Sequence, residues 1–261
     1  MNSYLRRDFF QVDGYTSFFD ARLFDFFLET QSLAGIGGSM AEIGVHHGRS
    51  FFLLAQARRG DEQALAVDVF EDDALYRDPQ GFGRGVRFKQ NCQRLGLALG
   101  DAEIYAGLST TLDAAEIKRR VGPVRFFSVD GGHRYDDVAY DMRLAAQALH
   151  PRGIIVADDY MNAQWPEVSL AIADWLRENN NPLCPFLSST SKLYLCHRDE
   201  KSFYRAHAKQ FLASGRHQVR DTDLFADSYF FSRQSLAEKL HYFVKERVVN
   251  RLPRRGAAVP A

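Results

Sequence analysis

Three aspartates and a histidine lie at the ends of two apolar runs. Asp130 closes the run Val124 to Asp130, and the pair Asp158 and Asp159 closes the run that starts at Gly153. If both runs are neighbouring parallel strands, their carboxyl ends open on one crevice, where ligands of such sheets bind. Three carboxylates brought together repel one another. A divalent cation that prefers oxygen ligands, Mg²⁺ above all, would neutralise them. The plainer alternative has Asp130 capping the next helix and the pair sitting in a turn. His133 follows Asp130 by three residues. A neutral imidazole there could take a proton from a hydroxyl group, or simply pack on its loop.

A second group of residues has the features of a ligand loop. A short buried run ends at Glu42, Ile43 and Gly44, and the chain continues Val45, His46, His47, Gly48, Arg49, Ser50 into a helix. Glycines allow close approach of backbone to a ligand. Ser50 suits an N-cap, and a helix start offers N–H groups to an anion. The spacing differs from the dinucleotide fingerprint, and the P-loop lysine is missing. A nicotinamide dehydrogenase is therefore disfavoured. Asp68 ends the second apolar run, about 20 residues or slightly more beyond the loop, where an acid can accept hydrogen bonds from ribose hydroxyls. Taken singly, the loop also reads as a glycine-packed strand–turn–helix junction, Asp68 as a solvated strand end, and His46 and His47 as exposed loop residues.

The elements that must hold these side chains alternate. Apolar runs at about 40–44, 64–70, 102–106, 124–130 and 153–158 predict strands. Between and after them, helical periodicity predicts helices at about 50–58, 84–95, 111–120, 136–149 and 166–177. Strands alternating with helices imply a parallel sheet covered on both faces. Ile154 to Val156 and Phe126 to Val129 are almost wholly apolar, as doubly buried strands are. Cys184 to Leu187 and Leu193 to Cys196, joined by a polar turn, predict an antiparallel hairpin. An amphipathic helix over about 15–30 precedes the sheet. Beyond Lys201 the sequence reads as helical and aromatic, ending in a basic amphipathic stretch from Glu238 to Arg255 and a frayed end.

Composition excludes several classes. Formal net charge is zero, so no global field attracts nucleic acid. The three cysteines are scattered, without metal-site spacing, and read as buried free thiols of a reducing compartment. The N-terminus lacks the apolar core of a signal peptide, and no apolar run reaches the roughly 18 residues that span a bilayer. A cytoplasmic location is expected.

The segments Ala41 to Ser50, Val129 to Tyr135 and Val156 to Tyr160 together resemble class I S-adenosylmethionine-dependent methyltransferases. Within that class they are similar to the metal-dependent O-methyltransferases acting on sugars of macrolides and aminocoumarins. The resemblance implies a Rossmann-like, mostly parallel seven-stranded sheet with an antiparallel last strand and helices on both faces. It implies an N-terminal helical extension (1–34), a cofactor-binding domain (35–200) and a C-terminal helical extension with a basic tail (201–261). It further implies that Glu42, Gly44 and Gly48 line the methionine part of S-adenosylmethionine, with Ser50 near its carboxylate. Asp68 would hold the ribose, Ser109 would lie near the adenine, and Asp130 would border the cofactor while binding Mg²⁺ with Asp158 and Asp159. Some sugar-modifying members have a histidine soon after the acid pair. Here Tyr160, Met161 and Asn162 stand there, so the proton acceptor falls to His133 or to Asp130.

The acceptor implied is a small molecule, sugar or glycan, and a homo-oligomer is expected. For the basic tail two readings stand: contact with an anionic membrane surface, or a helix packed on a partner subunit. Two other function classes remain open: a non-catalytic cofactor-binding scaffold, and a cephalosporin hydroxylase-like tailoring enzyme on the same fold.

Overall fold

The computed structural model describes residues 2–70, 84–97, 102–189, 191–213, 217–224 and 227–234. Five strands run parallel: β1 (Ser39–Ile43), β2 (Ala64–Asp68), β3 (Glu103–Ala106), β4 (Val124–Val129) and β5 (Leu149–Ala157). The predicted hairpin forms β6 (Leu183–Ser188) and β7 (Leu193–His197), and β7 inserts antiparallel between β5 and β6. The order β3-β2-β1-β4-β5-β7-β6 reverses direction between β1 and β4. That reversal is the switch point at which such sheets open a crevice.

The strands are doubly buried because successive side chains serve two cores. Met40, Ala64, Ala66, Phe126, Ile154 and Val156 point into one, while Ala41, Leu65, Val67, Phe127, Ile155 and Ala157 point into the other. This is the period-two alternation of strands, with both phases apolar. The first core is covered by α1 (Ser3–Arg7), α2 (Phe18–Leu33), α3 (Phe51–Gln56), α4 (Arg84–Arg94) and α8 (Lys201–Ala213). The second is covered by α5 (Ala114–Val121), α6 (Tyr135–Ala148) and α7 (Pro166–Leu176). Helix starts follow from local chemistry. Ser17 accepts from Asp20 N–H to cap α2, and Asp113 accepts from Glu116 N–H to cap α5, each satisfying a donor that the first turn leaves open.

One expectation needs correction. The chain beyond Lys201 is helical only through α8. His217–Leu224 and Asp227–Gln234 then form an antiparallel hairpin, β8 and β9, and β9 pairs parallel with β6 at Leu187↔Phe230 and Ser188↔Phe231. Tyr229, Phe230 and Phe231 are strand-favouring residues, and the free edge of β6 offers unpaired backbone groups that a further strand satisfies. Among the described residues the sheet thus reaches nine strands. The basic tail, 238–255, lies outside the described residues. Cys92, Cys184 and Cys196 are buried and form no disulfide. No helix among the described residues is long and apolar enough to cross a membrane.

Candidate active site

The loop after β1 is pressed against the loop after β4. Gly44 has φ +82°, and a Cβ there would stand 1.7 Å from the carbonyl oxygen of Asp130. Only glycine fits both demands. His46, also at positive φ, donates its backbone N–H to Asp68 Oδ2 at 2.8 Å, and Phe70 N–H donates to Asp68 Oδ1 at 3.0 Å. Two backbone donors therefore fix the Asp68 carboxylate at the end of β2, on the wall of the crevice.

Not every residue expected in the loop reaches the crevice. Gly44, Asp68, Ser109 and Asp130 line it, whereas Glu42, Gly48 and Ser50 stand behind its wall. Glu42 is fully buried. Burial pushes its carboxyl up to about 8, against the pull of the nearby Ser50 hydroxyl, the Lys192 charge and the Ser128 hydroxyl. Gly48, at φ +92°, leaves room for the Phe52 ring beneath it. Ser50 occupies the N-cap position of α3 without making a side-chain cap, and α3 has only six residues. The loop is instead anchored to the N-terminal segment. Arg49 Nε donates to Val12 O at 2.6 Å, and Tyr4 OH donates to Arg49 O at 2.9 Å. This anchoring carries Tyr15 and Ser17 onto the crevice wall, a contribution that sequence reasoning missed because it depends on a contact between distant segments.

The other half of the crevice is acidic. Asp130 N–H donates to Ile43 O, and Asp158 N–H donates to Val129 O, each at 2.9 Å. The sheet thereby brings both acids to adjacent strand ends. His133 Nε2 lies 2.9 Å from Asp159 Oδ2, and its ring stacks on Trp165 with centroids 4.3 Å apart. Asn162 Nδ2 donates to Asp159 Oδ1 at 2.7 Å. Burial works to raise the Asp159 carboxyl, but the hydrogen bonds from His133 and Asn162 hold it below the usual carboxylate range. Asp130 is pushed well up, first by burial and then by the charge of Asp158.

Lys192 is the residue that the sequence reading overlooked. It is 2 % exposed, and its ammonium hydrogen-bonds Asp158 Oδ2. Burial disfavours its charge, yet Asp158, Asp130 and Asp20 together raise it above the ordinary lysine range. A lone lysine at the start of an apolar strand was the available signal, because buried lysines require partners.

The metal set implied by the resemblance can be tested on these contacts. Asp158 is engaged by Lys192, and the two oxygens of Asp159 are engaged by His133 and Asn162. The donors that do converge are Asp130, His133 and Asp159, with ligand atoms within 4.8 Å of one another. That set includes an imidazole, which suits transition metals better than Mg²⁺. An all-carboxylate Mg²⁺ site does not fit the side chains as they stand.

The two halves enclose a cleft of about 520 Å³ that also includes Gly107, Leu108 and Thr110. This is ample for a small-molecule site. Residues 41–160 match a protein family described as a methyltransferase domain. Among solved structures, the O-methyltransferase NovP superposes with a TM-score of 0.58 at 14% identity, over 71% of this chain and 83% of that one. Apo CalS11, a TDP-rhamnose 3'-O-methyltransferase of calicheamicin biosynthesis, gives 0.51 at 17% identity over 69% and 80%. Cofactor-bound Rv0187 from MTB gives 0.50 at 14% identity over 73% and 85%. At these identities the likeness establishes the fold. None of the curated protein sequences matches the chain. Residues 41–160 are thus similar to a methyltransferase domain, and the solved O-methyltransferase structures share the fold of the chain.

Proposed function

We propose that this chain transfers a methyl group from S-adenosylmethionine to a hydroxyl oxygen of a small molecule, sugar or glycan. The observation that carries the reading is the joining of two half-sites at one switch point. Gly44, Asp68 and Ser109 form a wall suited to a nucleoside, and Asp130, His133 and Asp159 form a wall suited to a hydroxyl acceptor.

When bound, S-adenosylmethionine supplies an electrophilic methyl; the acceptor oxygen forms the new C–O bond and the C–S electron pair returns to sulfur. The chain supplies position and a proton acceptor. Asp68, fixed by His46 N–H and Phe70 N–H, accepts from the ribose hydroxyls. Gly44 lets the cofactor approach the backbone, and Ser109 borders the adenine end. Glu42, Gly48 and Ser50 support the loop from behind. His133 takes the hydroxyl proton at an imidazole nitrogen, and Asp159 stabilises the imidazolium that results, as a carboxylate steadies histidine in other acid–base pairs. Asp130, raised by burial, borders the reacting oxygen. A divalent cation, implied by the resemblance, has no assigned step here, because Asp158 is spent on Lys192. The sugar class of acceptor is supported by the fold shared with CalS11, a TDP-rhamnose 3'-O-methyltransferase. The same proposal extends to a cytoplasmic homo-oligomer. Peripheral contact of the basic tail with anionic membrane is testable by liposome co-sedimentation, and equal pelleting of full-length and tail-deleted protein would rule it out.

The test of the function is transfer of ¹³C-methyl from labelled cofactor to a panel of glycosylated and hydroxylated acceptors, followed by carbon NMR. O-methyl product is expected. Cofactor binding with product only on nitrogen or sulfur would overturn the reading, and an oxidised product would favour the tailoring-enzyme alternative.

A further inference from the structure

Lys192 carries a charge that the scheme above leaves without a task. Its side chain is almost fully buried and passes the Phe24 ring, with Nζ 5.8 Å from the ring centroid. Its ammonium bonds Asp158 and stands in the field of Asp130 and Asp20. Asp20 is itself fixed from α2, accepting from Ser17 Oγ at 2.7 Å and from Tyr194 OH at 3.1 Å. One acid thus bonds this cation and two more, from separate elements, act on its charge, and Lys192 lines the cleft together with Asp130, Asp158 and Ser191. A lysine held this deep requires such partners, because an isolated charge is too costly to bury.

Resting on the methyl-transfer reading, we propose that the Lys192 ammonium is the fixed cation of the acceptor half-site and that the reaction runs without a divalent metal. Converging aspartates need a positive charge among them, and here the chain provides it. An ammonium has three N–H donors, so its bond to Asp158 leaves donors for an acceptor oxygen. Directed at that oxygen, they favour the developing alkoxide. Lysine delivers this as a point charge already in place, without ordering an ion shell.

The test uses the full-length protein and a readout independent of turnover. Mn²⁺ and Mg²⁺ are titrated into wild type with and without S-adenosylhomocysteine, following Mn²⁺ by electron paramagnetic resonance and Mg²⁺ by calorimetry. The expected result is no stoichiometric ion tighter than about 10⁻⁴ M, and methyl transfer unchanged by EDTA. Lys192→Met, which leaves the acids uncompensated, is expected to gain one Mn²⁺ site. Stoichiometric Mn²⁺ or Mg²⁺ binding by wild type that is lost in Asp158→Asn would overturn the proposal. The wild-type titration decides the matter even if Lys192→Met fails to fold. Calorimetry with S-adenosylhomocysteine on the same sample separates the two claims: cofactor binding together with a tight metal ion overturns only this inference, whereas no cofactor binding overturns the function itself.

Discussion

His133 and Asp159 form an imidazole–carboxylate pair, with Nε2 and Oδ2 2.9 Å apart, across the gap between the loops that follow β4 and β5. Trp165 stacks on the imidazole and Asn162 holds the far oxygen of the carboxylate. Both members are therefore oriented before any acceptor arrives. If this pair takes the acceptor proton, His133→Ala lowers kcat by about 10²- to 10⁴-fold while affinity for S-adenosylhomocysteine stays within about threefold of wild type. Asp159→Asn lowers kcat less, because the imidazole remains. Steady-state kinetics with calorimetry checks both, and an unchanged kcat in His133→Ala would return the proton to Asp130.

Gly44 tests the contact between the two loops. A Cβ at this position meets Asp130 O at 1.7 Å, and the backbone stands at φ +82°. Overpacking and left-handed strain add, so Gly44→Ala is expected to cost at least about 3 kcal/mol and to abolish cofactor binding. Urea unfolding measures the first and calorimetry the second. A variant of wild-type stability would show that the loops can part.

Asp141 gives a pH signature. It is buried beneath Gly131, where an added Cβ would stand 2.6 Å from Oδ2. Burial pushes its carboxyl up to about 7, with a lowering influence from Ser109 and a raising one from Asp137. An unfolded aspartate ionises near about 3.9, so between that pH and about 7 the folded chain retains a proton that the unfolded chain has lost. The stability contribution is complete below about pH 4 and is lost as pH rises to about 7. Asp141→Asn has no such proton. Its melting temperature relative to wild type is expected to rise by several degrees between pH 4.5 and pH 7.5, by scanning fluorimetry. A constant difference would contradict the assignment.

Arg125 separates stability from binding. It is fully buried and donates to Glu62 at 2.9 and 3.0 Å, to Gln31 Oε1 and Gly38 O at 3.0 Å, and to Ala57 O at 3.1 Å. None of these partners lines the cleft. Arg125→Met leaves Glu62 to Arg59 alone, 2.9 Å away, and takes the donor from Gln31 Oε1, Gly38 O and Ala57 O; it is expected to cost at least about 2 kcal/mol, measured by urea unfolding, with cofactor affinity unchanged. A loss under about 1 kcal/mol would show that Arg59 and water satisfy these groups without Arg125.

The parts of the fold that were legible in the sequence are those with local causes. Phe126 to Val129 and Ile154 to Val156 announce doubly buried strands by composition, and the polar turn before Leu193 announces a hairpin. Asp68 and Asp130 are legible as acids at strand ends, whereas Ser109 follows only from the resemblance. What escaped depends on distant segments meeting. Lys192 gains meaning only when Asp20 arrives from α2 and Asp158 from β5. Tyr15 and Ser17 reach the cleft only because Arg49 clasps Val12. The β8–β9 hairpin is not legible in the sequence, because aromatic runs such as Tyr229 to Phe231 suit helix or strand until a free sheet edge decides between them.

The central claim is that the cleft at the β1–β4 switch point binds S-adenosylmethionine through Asp68. Isothermal titration of S-adenosylhomocysteine into wild type and Asp68→Ala tests it most directly, with NAD as the competing nucleotide. The account predicts one site per chain, at least about tenfold weaker in Asp68→Ala, a loss of about 1.4 kcal/mol or more, and no binding of NAD. Absence of S-adenosylhomocysteine binding, or an affinity indifferent to Asp68, would contradict it.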